Sequence, residues 1–309
     1  MPAYSVQRSI TIDAPAEKIF DAIADFTTWP TWSPWLPIDR AAALDYTGEP
    51  GTEHSGYSWS GEVVGQGEME HLRLDRPHRI EDDLRFLKPM KARSDVSFDL
   101  KEQGGSTNVT WNMDGKLPFF LFWLKPQIET FIAMDYDRGL RMLKEYLETG
   151  SVLSELEVVG VESYDEMEVI GKRGSAQMLE VGSAMGEAFG KVGDAIERGQ
   201  MPGDGEMISV YHANDMKKGR LDFTSGYVVP ASTDTPAGMD QVRLSAGKFL
   251  QIRHTGCYQN LGNAWSGAYQ YARYKKLKVA KRPAFEIYRN HPDPTPPAEL
   301  ITDVCIPLK

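Results

Sequence analysis

Lys248-Phe249-Leu250-Gln251-Ile252-Arg253-His254-Thr255-Gly256 leads through a helical run to Phe285-Glu286-Ile287-Tyr288, and the same arrangement occurs once before in the chain. There, Met167-Glu168-Val169-Ile170-Gly171-Lys172-Arg173-Gly174 leads through a helical run to Ile208-Ser209-Val210-Tyr211. In each copy a leucine stands five residues after the last glycine, Leu179 and Leu261, and a strand ending in tyrosine closes the unit. Two such strand–helix–strand units pack about a pseudo-twofold axis, and the packing leaves a cleft that neither unit encloses alone. The repeat therefore predicts a small-molecule site at a seam in the second half of the chain.

The first half has a different grammar. Val6 to Ile12 alternates as a strand does, and Asp13-Ala14-Pro15-Ala16-Glu17 then reads as a helix start, with Asp13 or Ala14 at the N-cap and Pro15 in the first helical position. Ile19, Phe20, Ile23 and Phe26 mark one face of that helix. Thr28 to Pro37, with three tryptophans and three prolines, is too broken for a regular helix. Further alternating stretches run from Glu68 to Leu74, Arg79 to Phe86, Asp95 to Leu100 and Thr107 to Met113, with Gln103-Gly104-Gly105-Ser106 as a hairpin turn between the last two. A long helix from about Gln127 to Glu148 follows, with Ile128, Ile132, Leu140, Leu143 and Leu147 on one stripe. One long helix laid across a curved antiparallel sheet encloses an interior. The pattern changes at Gly150-Ser151, which predicts two domains, 1–150 and 151–309.

Composition narrows the function. The formal net charge of −10 and pI near 5.2 argue against the basic face that phosphate backbones require, so no nucleic-acid partner is expected. The longest apolar stretch, Leu117 to Leu124, is far short of the ~20 residues of a membrane span, so no stable membrane insertion is expected. It reads instead as packing for the start of the long helix, with a mobile lid or a membrane-touching tip as the alternatives. With no apolar leader at the N-terminus and only Cys257 and Cys305, the expected setting is the reducing cytoplasm.

Two stretches resemble known families. Ile10-Thr11-Ile12-Asp13-Ala14-Pro15-Ala16-Glu17-Lys18-Ile19-Phe20, with Asp25-Phe26 and Trp29 to Trp35, resembles the opening of the START-like superfamily of polyketide cyclases and lipid-transport proteins. That resemblance implies a helix-grip fold with a hydrophobic interior. His254-Thr255-Gly256-Cys257-Tyr258-Gln259-Asn260-Leu261, then Phe285 to Asn290, then Pro294 to Asp303 and Pro307-Leu308, resembles the gyrase-inhibitor-like family, whose fold also forms effector-binding domains of multidrug-responsive regulators. It implies a ligand cleft with a carboxylate on the penultimate strand, here Glu286, and Tyr288 on the same strand face. Some relatives sense organic cations, and others hydrolyse strained electrophilic rings with that carboxylate. Unlike the regulators, this chain shows no DNA-binding segment. The fold class is thus α+β: a helix-grip START-like domain followed by a duplicated strand-helix-strand-strand domain.

The chemistry rests on few residues. Glu286 and Tyr288 share one face of their strand and Phe285 and Ile287 the other, so Glu286 is either ordinary surface or a group turned into the cleft. In a cleft it has two uses: ionised, it neutralises an organic cation, and protonated, it serves with Tyr288 in acid–base hydrolysis of a reactive small molecule. The sequence does not choose between them. Tyr211 matches Tyr288 in the other copy, and Trp265, Tyr258 and Tyr269 are further candidate walls. The six histidines form no zinc-binding spacing, and no cofactor motif occurs, so neither metal nor cofactor is expected. In the first domain, Glu53, His54, Trp59 and His71 are read as packing, and a lipid or polyketide carrier or cyclase role is the alternative there. The primary expectation is a binder of hydrophobic, amphipathic or cationic small molecules, in stress or xenobiotic sensing or sequestration, with its protein partner unknown.

Overall fold

Alternation makes a strand of β1 (Ala3–Ile12), and the Asp13–Glu17 start delivers α1 (Ala16–Ala24) one residue later than the capping pattern predicts. Pro15 itself occupies the N-cap, so the cap position has no side chain that can accept a hydrogen bond. The freed Ala16 N–H is instead taken at 2.8 Å by the Glu102 carboxylate from across the sheet, which also suits the positive end of the helix. The computed structural model describes residues 2–178, 180–215 and 219–309, so Leu179 of the repeat lies outside the described residues.

The chain divides into two units, Met1–Val152 and Leu153–Lys309. In the first, α1 is followed by a short helix α2 (Trp29–Trp32), then by β2 (Ala43–Thr47), β3 (Gly56–Gly61), β4 (Gly65–Asp75), β5 (Arg79–Lys88), β6 (Ala92–Gln103), β7 (Ser106–Lys116) and the long helix α3 (Lys125–Thr149). The antiparallel sheet runs β1-β7-β6-β5-β4-β3-β2. Gly104 and Gly105, with φ of 66° and 89°, make the predicted two-residue turn. The aromatic turn is anchored core: Trp29 and Trp32 are fully buried, and the Trp29 indole donates to Ile23 O at 2.8 Å. The apolar stretch behaves otherwise. Phe119, Phe120, Phe122 and Trp123 project into solvent, so the expectation that they pack the start of α3 is corrected.

The second unit contains β8 (Ser154–Tyr164), β9 (Met167–Gln177), α4 (Val181–Glu197), β10 (Met207–Asp215), β11 (Arg220–Val229), β12 (Asp240–Leu244), β13 (Gly247–Gly256), α5 (Gly262–Tyr274), β14 (Ala284–Tyr288) and β15 (Ile301–Pro307). Its sheet runs β12-β9-β11-β10-β14-β15-β13-β8. Read outward from the centre, β10-β11-β9 on one side repeats β14-β15-β13 on the other, which is the predicted doubling. Helix α4 packs on β9 and β11, and α5 on β13 and β15. The central pair β10–β14 is thus left beneath the gap between the two helices. On the opposite face Val169, Ile208, Val210, Phe249, Phe285 and Ile287 form an apolar core.

Two glycines should respond oppositely to a methyl group. A Cβ on Gly226 would lie 2.1 Å from Ile170 O, where β11 pairs closely with β9, whereas one on Gly186 of α4 meets nothing within 4 Å. Gly226→Ala is expected to destabilise the fold by about 1–3 kcal/mol, as overpacking does. Gly186→Ala is expected to stabilise it by ~0.8 kcal/mol through helix propensity. Denaturant midpoints of the two variants check both signs.

Candidate functional site

Because Phe285 and Ile287 occupy the apolar core, the period of two turns Glu286 and Tyr288 to the helix side of the sheet. That side is not solvent: Glu286 is 1 % exposed. Register sets the geometry around it. Ser209 of β10 lies directly across from Glu286, so Tyr211 and Tyr288, each two residues further along its own strand, flank that central pair from opposite directions. Ser209 is thus the first copy's counterpart of Glu286.

The carboxylate is held by three donors. Its Oε1 accepts from the Trp265 indole of α5 at 2.5 Å, its Oε2 from the Tyr288 hydroxyl at 2.7 Å, and Tyr211 adds a third hydrogen bond. Since the one proton of Tyr288 goes to the carboxylate, the Ser209 hydroxyl at 3.2 Å donates to Tyr288, and Ser225 lies 2.7 Å beyond Ser209. Tyr211 meets Trp265 edge to face at 4.9 Å, and Phe189 and Tyr258 meet Tyr288 in the same way at 5.5 and 5.6 Å. Met185 of α4 lies 3.8 Å from the Tyr211 hydroxyl and 4.0 Å from that of Tyr288. Residues from both helices and both central strands therefore converge on one acidic group.

All three donors are neutral. Burial pushes the Glu286 carboxyl above its ordinary range, and the hydrogen bonds from Tyr288, Trp265 and Tyr211 pull it back only in part. The same burial, with the acid beside them, raises both tyrosines well above their usual values. A row of unsatisfied polar atoms continues from this centre. Thr302 pairs with Tyr288 and His254 with Thr302 across the sheet, and Thr302 Oγ1, His254 Nδ1 and Tyr258 Oη are buried without a hydrogen-bond partner. Burial lowers His254 to about 4, so the ring is neutral, and raises Tyr258 to about 12, with the Glu286 charge as the second cause.

Of the candidates from sequence, Glu286, Tyr288, Tyr211, Trp265 and Tyr258 come together here. Tyr269, one turn beyond Trp265, is 47 % exposed, and no described contact ties it to the acid. Sequence reasoning passed over Met185 and Ser209. The repeat itself could have found Ser209, since it aligns with Glu286. Cys257 and Cys305 form no disulfide, and among the described residues no His, Cys, Asp or Glu cluster could hold a metal.

The first unit has a buried acid of its own. His71, read as packing, lies stacked on Phe26 with ring centroids 4.1 Å apart; its Nδ1 is 2.5 Å from Asp82 Oδ1, and its Nε2 donates to Ala24 O at 2.9 Å. Asp82 Oδ2, Trp111 Nε1 and Tyr136 Oη are buried there without partners. The signal for Asp82 was an acid in phase with Ile80 and Leu84 on an alternating strand. Glu53 accepts from Leu74 N, His54 is exposed beside Glu70, and Trp59 is half-buried.

Residues 159–309 match the model of the GyrI-like small molecule binding domain, and residues 3–148 that of the polyketide cyclase / dehydrase and lipid transport family. The chain joins a polyketide cyclase-type START-like domain to a GyrI-like domain. Similar solved structures include the C-terminal domain of EcmrR (17 % identity, 51 % of this chain and 99 % of that one, TM-score 0.42) and SAV2435 bound to tetraphenylphosphonium (15 %, 50 % and 94 %, 0.40). The Aha1 dimer from Colwellia psychrerythraea is another (19 %, 47 % and 97 %, 0.35). No curated protein matches the chain. Small-molecule binding is the shared property of the GyrI-like family, and Glu286 lies at the centre of the GyrI-like sheet.

The raised carboxyl fixes the sign of a stability effect. Its folded-state pKa lies above the unfolded one, so ionisation above that value costs the fold stability, which returns as pH falls through it. Glu286→Gln is expected to melt at a higher temperature than the parent at pH 8, with the gap narrowing as pH is lowered. Calorimetry across pH checks this, and a variant less stable by the same margin at every pH contradicts it.

Proposed function

We propose that the GyrI-like domain binds an apolar organic cation, with Glu286 as its counter-charge. The observation that carries this reading is a fully buried carboxylate whose hydrogen-bond partners are all neutral. A charge in that state is costly until a cation joins it. Aromatic edges and faces from Tyr211, Trp265, Phe189, Tyr258 and Tyr288 surround the acid, and they suit a delocalised cation better than a hydrated ammonium ion. The seam between α4 and α5 is the natural entrance, because only side chains close it. Met185 is the adaptable part of that closure, an unbranched thioether that can move aside.

The unpartnered row through Thr302 and His254 adds a preference. Thr302 lies one strand beyond Tyr288 and His254 one further, and Glu286 is two residues along from Tyr288, so at about 4.8 Å between strands and ~3.4 Å per residue a ligand with a polar substituent roughly 8–12 Å from its charge would satisfy both ends. Between the two uses of the acid, three donors aimed at the carboxylate support its ionised form, since a protonated carboxyl would surrender an acceptor site. Charge pairing is therefore favoured over proton delivery to a strained ring. The domain then serves to sense or sequester lipophilic cations, as expected of a xenobiotic-responsive binder.

Crystal violet and its neutral leuco form share one skeleton and differ in charge. At pH 8 the dye is expected to bind at least tenfold more tightly than the leuco form, and Glu286→Gln is expected to abolish that difference while raising the melting temperature of the free protein. Dye affinity should also fall as pH drops through the raised carboxyl value. Isothermal titration decides it: equal affinity for the two forms, or an unchanged preference in Glu286→Gln, rejects the assignment.

A further inference from the structure

The stretch that failed to pack in the first unit has a definite shape. Phe119–Leu124 forms two turns of 3-10 helix, in which residues three apart stand above one another. That geometry sorts the six apolar side chains into three ridges. Phe119 and Phe122 form one, with ring centroids 6.1 Å apart, Phe120 and Trp123 a second, and the half-buried Leu121 and Leu124 the third. Four aromatic rings, 58–77 % exposed, thus radiate from two sides of one projecting turn. The Trp123 indole N–H is already satisfied by Phe120 O at 3.2 Å, so the ring asks for no polar partner.

A flat protein surface can cover one ridge, but not two that diverge. A fluid apolar phase covers both. The surroundings agree: the sheet register places the turn between β5 and β6 at the same end as the close of β7, and Leu87 and Met90 are exposed on it. Residues 86–93 and 115–126 together carry Lys88, Lys91, Arg93, Lys116 and Lys125; Arg93 pairs with Asp83 and Lys125 with Glu129, so Lys88, Lys91 and Lys116 are the cations there without a described ion pair, in a chain with 34 basic and 44 acidic residues. Exposed aromatic rings ringed by lysines are the composition of an interfacial membrane anchor, with anionic headgroups meeting the cations.

We infer that the Phe119–Trp123 turn is a docking tip that inserts its rings into the headgroup region of an anionic bilayer. The contact is peripheral and reversible, since no helix among the described residues is long and apolar enough to cross a membrane. It depends on the first unit alone and is independent of the cation site.

The test is flotation of the full chain with vesicles of phosphatidylcholine alone and with 30 % phosphatidylglycerol (~30 mol %, enough to make the surface strongly anionic). Binding to the anionic vesicles is expected, reduced in ~0.5 M salt by screening, and at least tenfold weaker in Phe120→Ser/Trp123→Ser. Both residues are exposed, so the variant should retain the parent's melting temperature and its dye binding. Absence of vesicle binding, or binding equal in the double variant, overturns the proposal. So does a concentration-dependent dimer, seen by sedimentation equilibrium and lost in the double variant, if vesicles fail to bind: the rings would then meet a second copy.

Discussion

A carboxylate with no positive neighbour among the described residues, placed where two helices fail to meet, organises the second domain. Each helix of the duplicated module covers the outer strands of its own copy, so the central strands β10 and β14 depend on side chains alone for cover. An apolar residue at position 286 would close such a seam at no electrostatic cost. Glutamate there requires donors, and the surrounding residues answer that requirement: Trp265 reaches down from α5, Tyr211 and Tyr288 converge along the sheet, and Ser209 and Ser225 continue the chain. The polarity of the seam follows from one side chain.

Duplication explains why the site is asymmetric. Two identical copies would place two carboxylates directly opposite, since Ser209 and Glu286 are paired across the twofold. Like charges at that spacing in a buried setting would drive one to protonate. With serine in one copy and glutamate in the other, the seam keeps a single ionisable centre and gains a hydroxyl relay. The helices have diverged to match. Helix α5 brings the indole donor Trp265, and α4 brings Met185 and Phe189, with Gly182, Gly186 and Gly190 making it the weaker helix.

Much of this was legible in the chain because periodicity reports on burial. The alternation from Glu68 to Met113, the Gly104-Gly105 turn and the long α3 stripe all describe surfaces that must be covered, and the sheet and helix cover them. Strands β2 and β3 escaped notice. Ala43–Thr47 is largely exposed at a sheet edge, and Gly56–Gly61 is half-buried, so neither alternates cleanly. Phe119–Trp123 misled for the opposite reason: hydrophobicity predicts burial only when something is present to bury against. For Glu286, alternation gave the face but not the environment. Whether that face meets water depends on helices from both copies, which no local pattern encodes.

The two units offer an internal comparison. Each puts an acid on the inward face of an antiparallel sheet, Asp82 in one and Glu286 in the other, and burial raises both carboxyls. Asp82 is met at 2.5 Å by His71, whose other nitrogen must keep its proton because Ala24 O can only accept. One further proton is therefore shared within that pair, and the pair as a whole carries no net charge in either arrangement. Glu286 has only neutral donors, so the ionised state leaves a full negative charge inside the domain. Both sites hold buried polar atoms without hydrogen-bond partners, Asp82 Oδ2, Trp111 Nε1 and Tyr136 Oη in the first and Thr302 Oγ1, His254 Nδ1 and Tyr258 Oη in the second. A neutral polar molecule can complete the first. The second differs in that its acid has no basic partner like His71, which is the contrast behind the charge pairing proposed for the duplicated domain.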